Sequence, residues 1–211
     1  MTPYQEHVAK WSNCTLCPLH ETRTKVALVR GKLPADILYI GEAPGPSEDI
    51  LGSCFVGPAG DLLQQVIDEV IGDSLRYALT NLIACIPMDE ENKKFTEPPD
   101  YAVTACRPRL VEIIQIAKPR LIFLVGKSAE KYAPSQSEYG KLPPIKKMLA
   151  KHTNYTLAEC DWLKPQDNGL VHYEKIVHPA AIIRADLSQQ GLQLQRMKVT
   201  IHDAVQEIFF R

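Results

Sequence analysis

The chain has no excess of basic charge to offer a polyanion. Its 24 Lys and Arg are matched by 25 Asp and Glu, so any nucleic-acid contact must come from a local basic patch and not from a whole-molecule field. It also lacks an apolar run of membrane-spanning length, and its polar start, Met1–Lys10, has no signal-peptide core. A soluble, cytoplasmic protein is therefore expected. No Gly/Ser-rich linker divides the 211 residues, enough for one good α/β core, so a single domain over 1–211 is expected. What the chain does have is six cysteines, which in an intracellular protein point to metal binding or catalysis before disulfides.

Four compact apolar runs read as strands: Ala35–Ile40, Tyr77–Ala84, Arg120–Val125 and Val171–Val177. Apolar residues at helical spacing mark Asp61–Val70, Asp100–Ala117 and about Leu187–Phe209, with a shorter helix over Pro3–Trp11. Together they predict an α/β fold, a three-layer α/β/α sandwich around a central, mainly parallel four-stranded sheet. Two stretches carry no such pattern. Ile86–Asp100 is charged and expected to be exposed and mobile, and Tyr132–Asn168 dissolves into Pro, Lys, Ser and Gln around a short helix at Pro144–Lys151.

The connection Gly41–Gly60 reads G-E-A-P-G-P-S-E-D-I-L-G-S-C-F-V-G-P-A-G. Its glycines and prolines impose unusual backbone angles, and in open α/β sheets ligands sit where such loops leave the carboxyl ends of strands. Glu42, Asp49 and Phe55 become candidates on that ground, the alternative being solvated acids on a surface loop. Glu42, Asn81, Gly126 and His178 each fall at or just beyond the end of a predicted strand. Residues far apart in sequence are thus expected to meet along one rim of the sheet.

Cys14-Thr15-Leu16-Cys17-Pro18 sets two thiolates on one tight turn, half of a metal or cluster site. No strand precedes it, which disfavours a thioredoxin-like redox pair. Cys85 ends an apolar run and Cys106 lies in the helix Asp100–Ala117, so two ligands from each region would tie distant segments together. Four thiolates suit an iron–sulfur cluster or a zinc ion equally well by ligand chemistry. Cys54 and Cys160 read as small buried apolar groups.

The order G-E-A-P-G-x-x-E-D followed by G-x-x-F-V-G-x-A-G resembles the first motif of the family-four, iron–sulfur uracil-DNA glycosylases, and His178-Pro179-Ala180 resembles the second hallmark of that superfamily. The resemblance implies Glu42 near the attacked sugar carbon, Phe55 against the uracil ring and His178 beside the base. Gly41, Ala43, Asp49 and Asn81 would surround the substrate. Asn81 offers an acceptor for uracil N3–H and a donor for O4, whereas cytosine presents the reverse. A small apolar tip would enter the duplex, with Ile182 and Ile183 as wedge candidates and Arg184 as the phosphate contact. The resemblance further implies a structural [4Fe-4S] cluster on Cys14, Cys17, Cys85 and Cys106, with zinc the lesser alternative. DNA containing uracil or a modified pyrimidine is then the partner, and the protein acts as a monomer.

Several features depart from that pattern. The family usually has proline where Cys54 stands and an aromatic where Val177 precedes the histidine. Lys93 and Lys94 stand where an Arg/Pro loop is usual, either touching phosphate in its stead or forming part of a solvated charge run. The Ile86–Asp100 loop lacks the basic, histidine-bearing insertion of relatives that trap the sugar covalently. Gly126-Lys127-Ser128-Ala129 resembles the family's helix-opening turn, whose backbone N–H groups can hold a phosphate. The Tyr132–Asn168 region is longer than usual, and its Lys141, Lys146, Lys147 and Lys151 suit a DNA-facing edge. Two rival functions follow: a glycosylase for another modified pyrimidine, and a module that binds altered DNA or nucleotides without cutting.

Overall fold

A computed structural model of the chain describes residues 1–89, 94–131 and 171–210. Lys93, Cys160, the Pro144–Lys151 helix and the four lysines expected at a DNA-facing edge fall outside those residues. The amino-terminal helix α1 (Pro3–Trp11) opens on Thr2, whose hydroxyl accepts from the Gln5 N–H while the Gln5 side chain accepts from the Thr2 amide. That reciprocal cap satisfies two N–H groups a helix start leaves free. A single turn, α2 (Leu19–Thr22), follows the Cys14–Cys17 segment.

The sheet is built from β1 (Arg30–Gly31), β2 (Ile37–Gly41), β3 (Tyr77–Asn81), β6 (Leu121–Val125) and β7 (His172–Ile176), ordered β1-β3-β2-β6-β7. The four expected strands run parallel, and β1 adds a two-residue antiparallel edge on β3. So short a strand shows no alternation, which is why the sequence pattern does not reveal it. Every residue of β2 and β6 is buried, as both faces of a parallel sheet are covered and its strands become continuous apolar runs. Alternate residues serve opposite layers. Leu38, Ile40, Ile122 and Leu124 pack with Trp11, Ala102 and Ile114, whereas Ile37, Tyr39, Leu121 and Phe123 pack with Leu63, Ile67, Met197 and Ile201. Each such aliphatic side chain contributes about 1.5–3 kcal/mol on burial.

The first layer is α1 with α5 (Asp100–Ala117); the second is α4 (Pro58–Val70) with α7 (Pro179–Arg184) and α8 (Leu187–Phe209). Helix α4 begins at Pro58, three residues before its apolar pattern, because proline's fixed φ suits a first helical position. The Gly41–Gly60 connection contains a helix of its own, α3 (Pro46–Leu51). Within 86–100, β4 (Met88–Asp89) pairs with β5 (Lys94–Phe95) where a loop was expected. Beyond β6, α6 (Lys127–Lys131) starts directly after Gly126. Among the described residues no helix is long and apolar enough to cross a membrane.

Glu112 on α5 anchors the amino-terminal helix. Its carboxylate accepts from His7 Nδ1 at 2.9 Å, Lys10 Nζ at 2.6 Å and Trp11 Nε1 at 3.2 Å. The helix that leads into Cys14 and Cys17 is thereby docked on the helix carrying Cys106.

Candidate active site

The loop after β2 is shaped by one buried carboxylate. Glu48, in the first turn of α3, accepts at Oε1 from the Val56 N–H at 3.1 Å and the Gly57 N–H at 3.0 Å, and at Oε2 from the Gly45 N–H at 3.1 Å. Between these clamps Phe55 adopts φ 56°, a left-handed conformation that costs a side-chain-bearing residue about 1–2 kcal/mol. The backbone of Phe55 then lies so close to Gly60 that any Cβ there would overlap the Phe55 carbonyl. Strain held this firmly marks a place where side-chain direction matters.

Phe55 points back across the end of β2. A Cβ on Gly41 would collide with both the Phe55 ring and Asn81 Oδ1, so glycine there lets the ring and the amide close over the strand end together. Gly41 and Asn81 are register partners of the parallel β2–β3 ladder. Asn81 is 3% exposed, and its Nδ2 lies 3.6 Å from Cys54 Sγ, a long contact of the kind sulfur makes. Cys54 in turn faces the carbonyls of Leu28 at 3.3 Å and Ala27 at 3.5 Å. Burial pushes its thiol up to about 12, so it stays protonated, donates to these carbonyls and accepts from the amide.

The neighbouring strands add two more groups on the same rim. Glu42, the residue after β2, accepts at Oε2 from Ser128 Oγ at 2.7 Å, which fixes the half-buried carboxylate to α6. His178 caps α7, its Nδ1 accepting from the Ala180 N–H at 3.1 Å, and its ring rests against Gly126 at the end of β6. Burial holds His178 below its ordinary value, Arg184 adds to this and Glu48 opposes it. A neutral imidazole that accepts at Nδ1 carries its proton on Nε2, leaving one N–H to donate.

Glu42, Asn81, Gly126 and His178 thus stand at the carboxyl ends of β2, β3, β6 and β7, with His178 resting on Gly126, Glu42 held by Ser128 and Asn81 closed over Gly41. Ala43 is half-buried and packs against the first-layer core. Two expectations need correction. Asp49 is turned away from the strand ends: both its oxygens accept from the Thr24 N–H, at 3.0 and 2.9 Å, so it ties the loop to the segment after Cys17. Ile182 is 3% exposed and sits in the second-layer core, leaving Ile183, 44% exposed, and the exposed Arg184 at the surface. An amphipathic six-residue helix turns one of two adjacent isoleucines inward, which a three-residue motif does not reveal. Sequence reasoning also missed Glu48 and Ser128. The capping-box spacing from Gly45 to Glu48 is the signal that could have found the first.

Cys14, Cys17, Cys85 and Cys106 all line one cavity, together with Trp11, Arg23 and Arg109. Burial pushes Cys85 up to about 12, with Arg23 opposing and Cys106, Cys17 and Cys14 adding to it; Cys17 is raised chiefly by burial as well. Thiols that raise one another face a shared space. Among the described residues, no group of three or more His, Cys, Asp or Glu is drawn into a site for a metal ion; the four sulfurs surround the cavity without closing on a point. Among the described residues, the buried guanidinium nitrogens Arg23 Nη1 and Arg109 Nε have no partner. Four thiol donors from three separate segments, beside two cationic side chains, fit an anionic metal–thiolate group.

The sequence model of the Uracil DNA glycosylase superfamily matches residues 29–200 of the chain. The chain is 36% identical over 121 residues to a Type-4 uracil-DNA glycosylase of Sulfurisphaera tokodaii, which covers 57% of this chain and 53% of that protein. It is 30% identical over 132 residues to the Type-4 uracil-DNA glycosylase of Archaeoglobus fulgidus, covering 63% and 64% respectively. The matches therefore span from about half to just under two thirds of those relatives. Among solved structures, the crystal structure of wild-type Pedobacter heparinus SMUG2 superposes with a TM-score of 0.53 over 97% of this chain and 99% of that one, at 12% identity, a likeness of fold.

Proposed function

The chain belongs to the uracil DNA glycosylase superfamily, and we propose that it excises uracil from DNA by flipping the nucleotide out and directing water onto the N-glycosidic bond. The observation that carries this reading is the closure of the Phe55 ring and the Asn81 amide over Gly41, on the rim that also bears Glu42 and His178. Flipping costs a few kcal/mol. Stacking on an aromatic ring such as Phe55 returns about 1–3 kcal/mol per base, and the Asn81 amide pairs with uracil N3–H and O4 and mismatches cytosine. The exposed Ile183 and Arg184 fill the vacated stack and touch phosphate.

In the reaction the C1′–N1 bond breaks with its electron pair leaving on uracil, and a water oxygen bonds C1′, releasing one proton. His178 Nε2–H donates to the uracil oxygen on which negative charge develops; a donor so placed is worth about 3–4 kcal/mol of barrier. The Glu42 carboxylate, steadied by Ser128, faces the cationic sugar and orients the water. Cys14, Cys17, Cys85 and Cys106 would hold a [4Fe-4S] cluster, which when bound supplies a cross-link between the amino-terminal segment and α5 and no chemistry at the base. The protein acts as a monomer.

A uracil-containing oligonucleotide treated with the protein and then alkali tests the reading. Strand scission at uracil supports it. Scission only at other modified pyrimidines favours a different base, and an intact but tightly bound oligonucleotide favours a binding module. Brown protein absorbing broadly in the visible supports the cluster, whereas colourless protein with stoichiometric zinc replaces it.

A further inference from the structure

Arg109, on α5, is 1% exposed and serves neither the core's packing alone nor any step of the proposed chemistry. Its guanidinium grips three successive residues at the end of β3: Nη1 donates to Thr80 Oγ1 at 3.1 Å, and Nη2 donates to the main-chain carbonyl of Asn81 and to that of Leu82 at 3.2 Å. All three acceptors are neutral. Among the described residues no carboxylate pairs with it; Glu112, one turn further along α5, is engaged by His7, Lys10 and Trp11. A buried charge without a counter-charge is strongly disfavoured, so this arrangement lacks a negative group.

The same residue lines the cavity of the four cysteines, and its Nε–H is buried without an acceptor among the described residues. Four thiolates around a metal group of lower positive charge leave a net negative charge in that cavity. We propose that Arg109 is the counter-ion of the group held by Cys14, Cys17, Cys85 and Cys106 and, through the carbonyls it grips, a positioning residue for Asn81. This rests on the metal–thiolate reading of the cavity and on Asn81 reading the base. Loss of the negative group leaves the guanidinium uncompensated and frees it to move, and the end of β3 moves with it. Filling of the cavity thereby steadies the amide that discriminates uracil, although the cavity's sulfurs touch neither substrate nor reacting atoms.

Wild type, Arg109→Met and Arg109→Lys are compared for iron and zinc content, for the rate at which a chelator strips the metal, and for excision from oligonucleotides carrying uracil or cytosine. Arg109→Met is expected to release metal about 10- to 100-fold faster, the usual effect of removing an outer partner of a metal ligand set. Its uracil-over-cytosine preference falls about tenfold. Arg109→Lys keeps the charge but not the planar fork, so metal release stays within about threefold of wild type while the preference falls as in the Met variant. Wild-type release and preference in Arg109→Met overturn the proposal, and unchanged preference in Arg109→Lys overturns the positioning part. If Arg109→Met does not accumulate folded, Arg109→Gln takes its place. Wild-type protein that binds no metal, or leaves uracil in DNA, overturns instead the reading on which the inference rests.

Discussion

Glu48→Gln isolates the clamp on the site loop at nearly constant volume. Glu48 receives three main-chain N–H bonds, two on Oε1 and one on Oε2. An amide nitrogen must replace one oxygen and point N–H at N–H. The cheaper orientation keeps Val56 and Gly57 and gives up Gly45. Losing one bond to a charged acceptor costs about 1.5–3 kcal/mol, and neutralising the acceptor weakens the other two, so about 2–4 kcal/mol is expected in all. That matches or exceeds the roughly 1–2 kcal/mol stored in the left-handed Phe55 backbone, so the loop relaxes and the ring leaves Gly41. At about 2–4 °C per kcal/mol for a chain of this size, the melting midpoint should fall by roughly 4–16 °C. Stacking removed equally from bound substrate and transition state raises KM, here about tenfold, with kcat within about threefold. Thermal melts by circular dichroism and steady-state excision kinetics read both. A variant with unchanged midpoint and unchanged KM would refute the claim that this carboxylate holds the ring in place.

Asn81→Asp replaces the amide donor by an acceptor facing uracil O4, and uracil-over-cytosine preference should fall about 100-fold in paired oligonucleotide assays, since an unmet polar match discriminates strongly; unchanged preference removes Asn81 from base reading. Ile182→Ala should cost about 2–4 kcal/mol of stability by opening a core cavity, whereas Ile183→Ala should shift stability by under about 0.5 kcal/mol yet slow excision from duplex more than from single-stranded DNA. Equal effects of the two changes on melting would contradict their different burial. For His178 the sign follows from its depressed folded value: the unfolded chain takes the proton first as pH falls past the ordinary 6.5. Stability contributed by the neutral ring is complete above that point and is lost as pH falls through the lower folded value. Protonating Nδ1 also breaks its bond from Ala180, so kcat should stay flat down through the ordinary 6.5 and decline only as pH falls through the lower folded value; a rate that rises on acidification would count against a neutral donor.

The strands, the long helices and the rim on which the site sits are legible in the chain because each rests on periodicity or on a strand ending at a recognisable loop. Asp100–Ala117 forms over the residues its spacing predicts, and the helices expected over Pro3–Trp11 and about Leu187–Phe209 form there. The failures share one physical origin. Asp49 and Glu48 are adjacent acids on the same turn, and composition alone does not say which oxygen meets which amide; that depends on how the loop folds back over Val56 and on where Thr24 passes. Ile182 and Ile183 differ only by about 100° of helix rotation. Ser128 reads as an ordinary helix-start serine until Glu42 is placed beside it.

The corrected role of Asp49 changes how the cysteine region relates to the site. Thr24, whose N–H both Asp49 oxygens accept, immediately follows Arg23, a residue of the cavity wall whose buried Nη1 has no partner among the described residues. The loop that orients Phe55 is therefore fastened to one side of the cavity, and the strand end that carries Asn81 is fastened to the other through Arg109. The ring and the amide that close over Gly41 are held by two separate ties to the one cavity. An interaction network of this kind moves as a unit, so substitutions at Asp49 and Arg109 should be non-additive in base discrimination although no hydrogen bond joins the two side chains. A double-mutant cycle with Asp49→Asn and Arg109→Lys, read as uracil-over-cytosine preference, should give a coupling of about 0.5–2 kcal/mol. Strict additivity would mean that the cavity braces the ring and the amide independently.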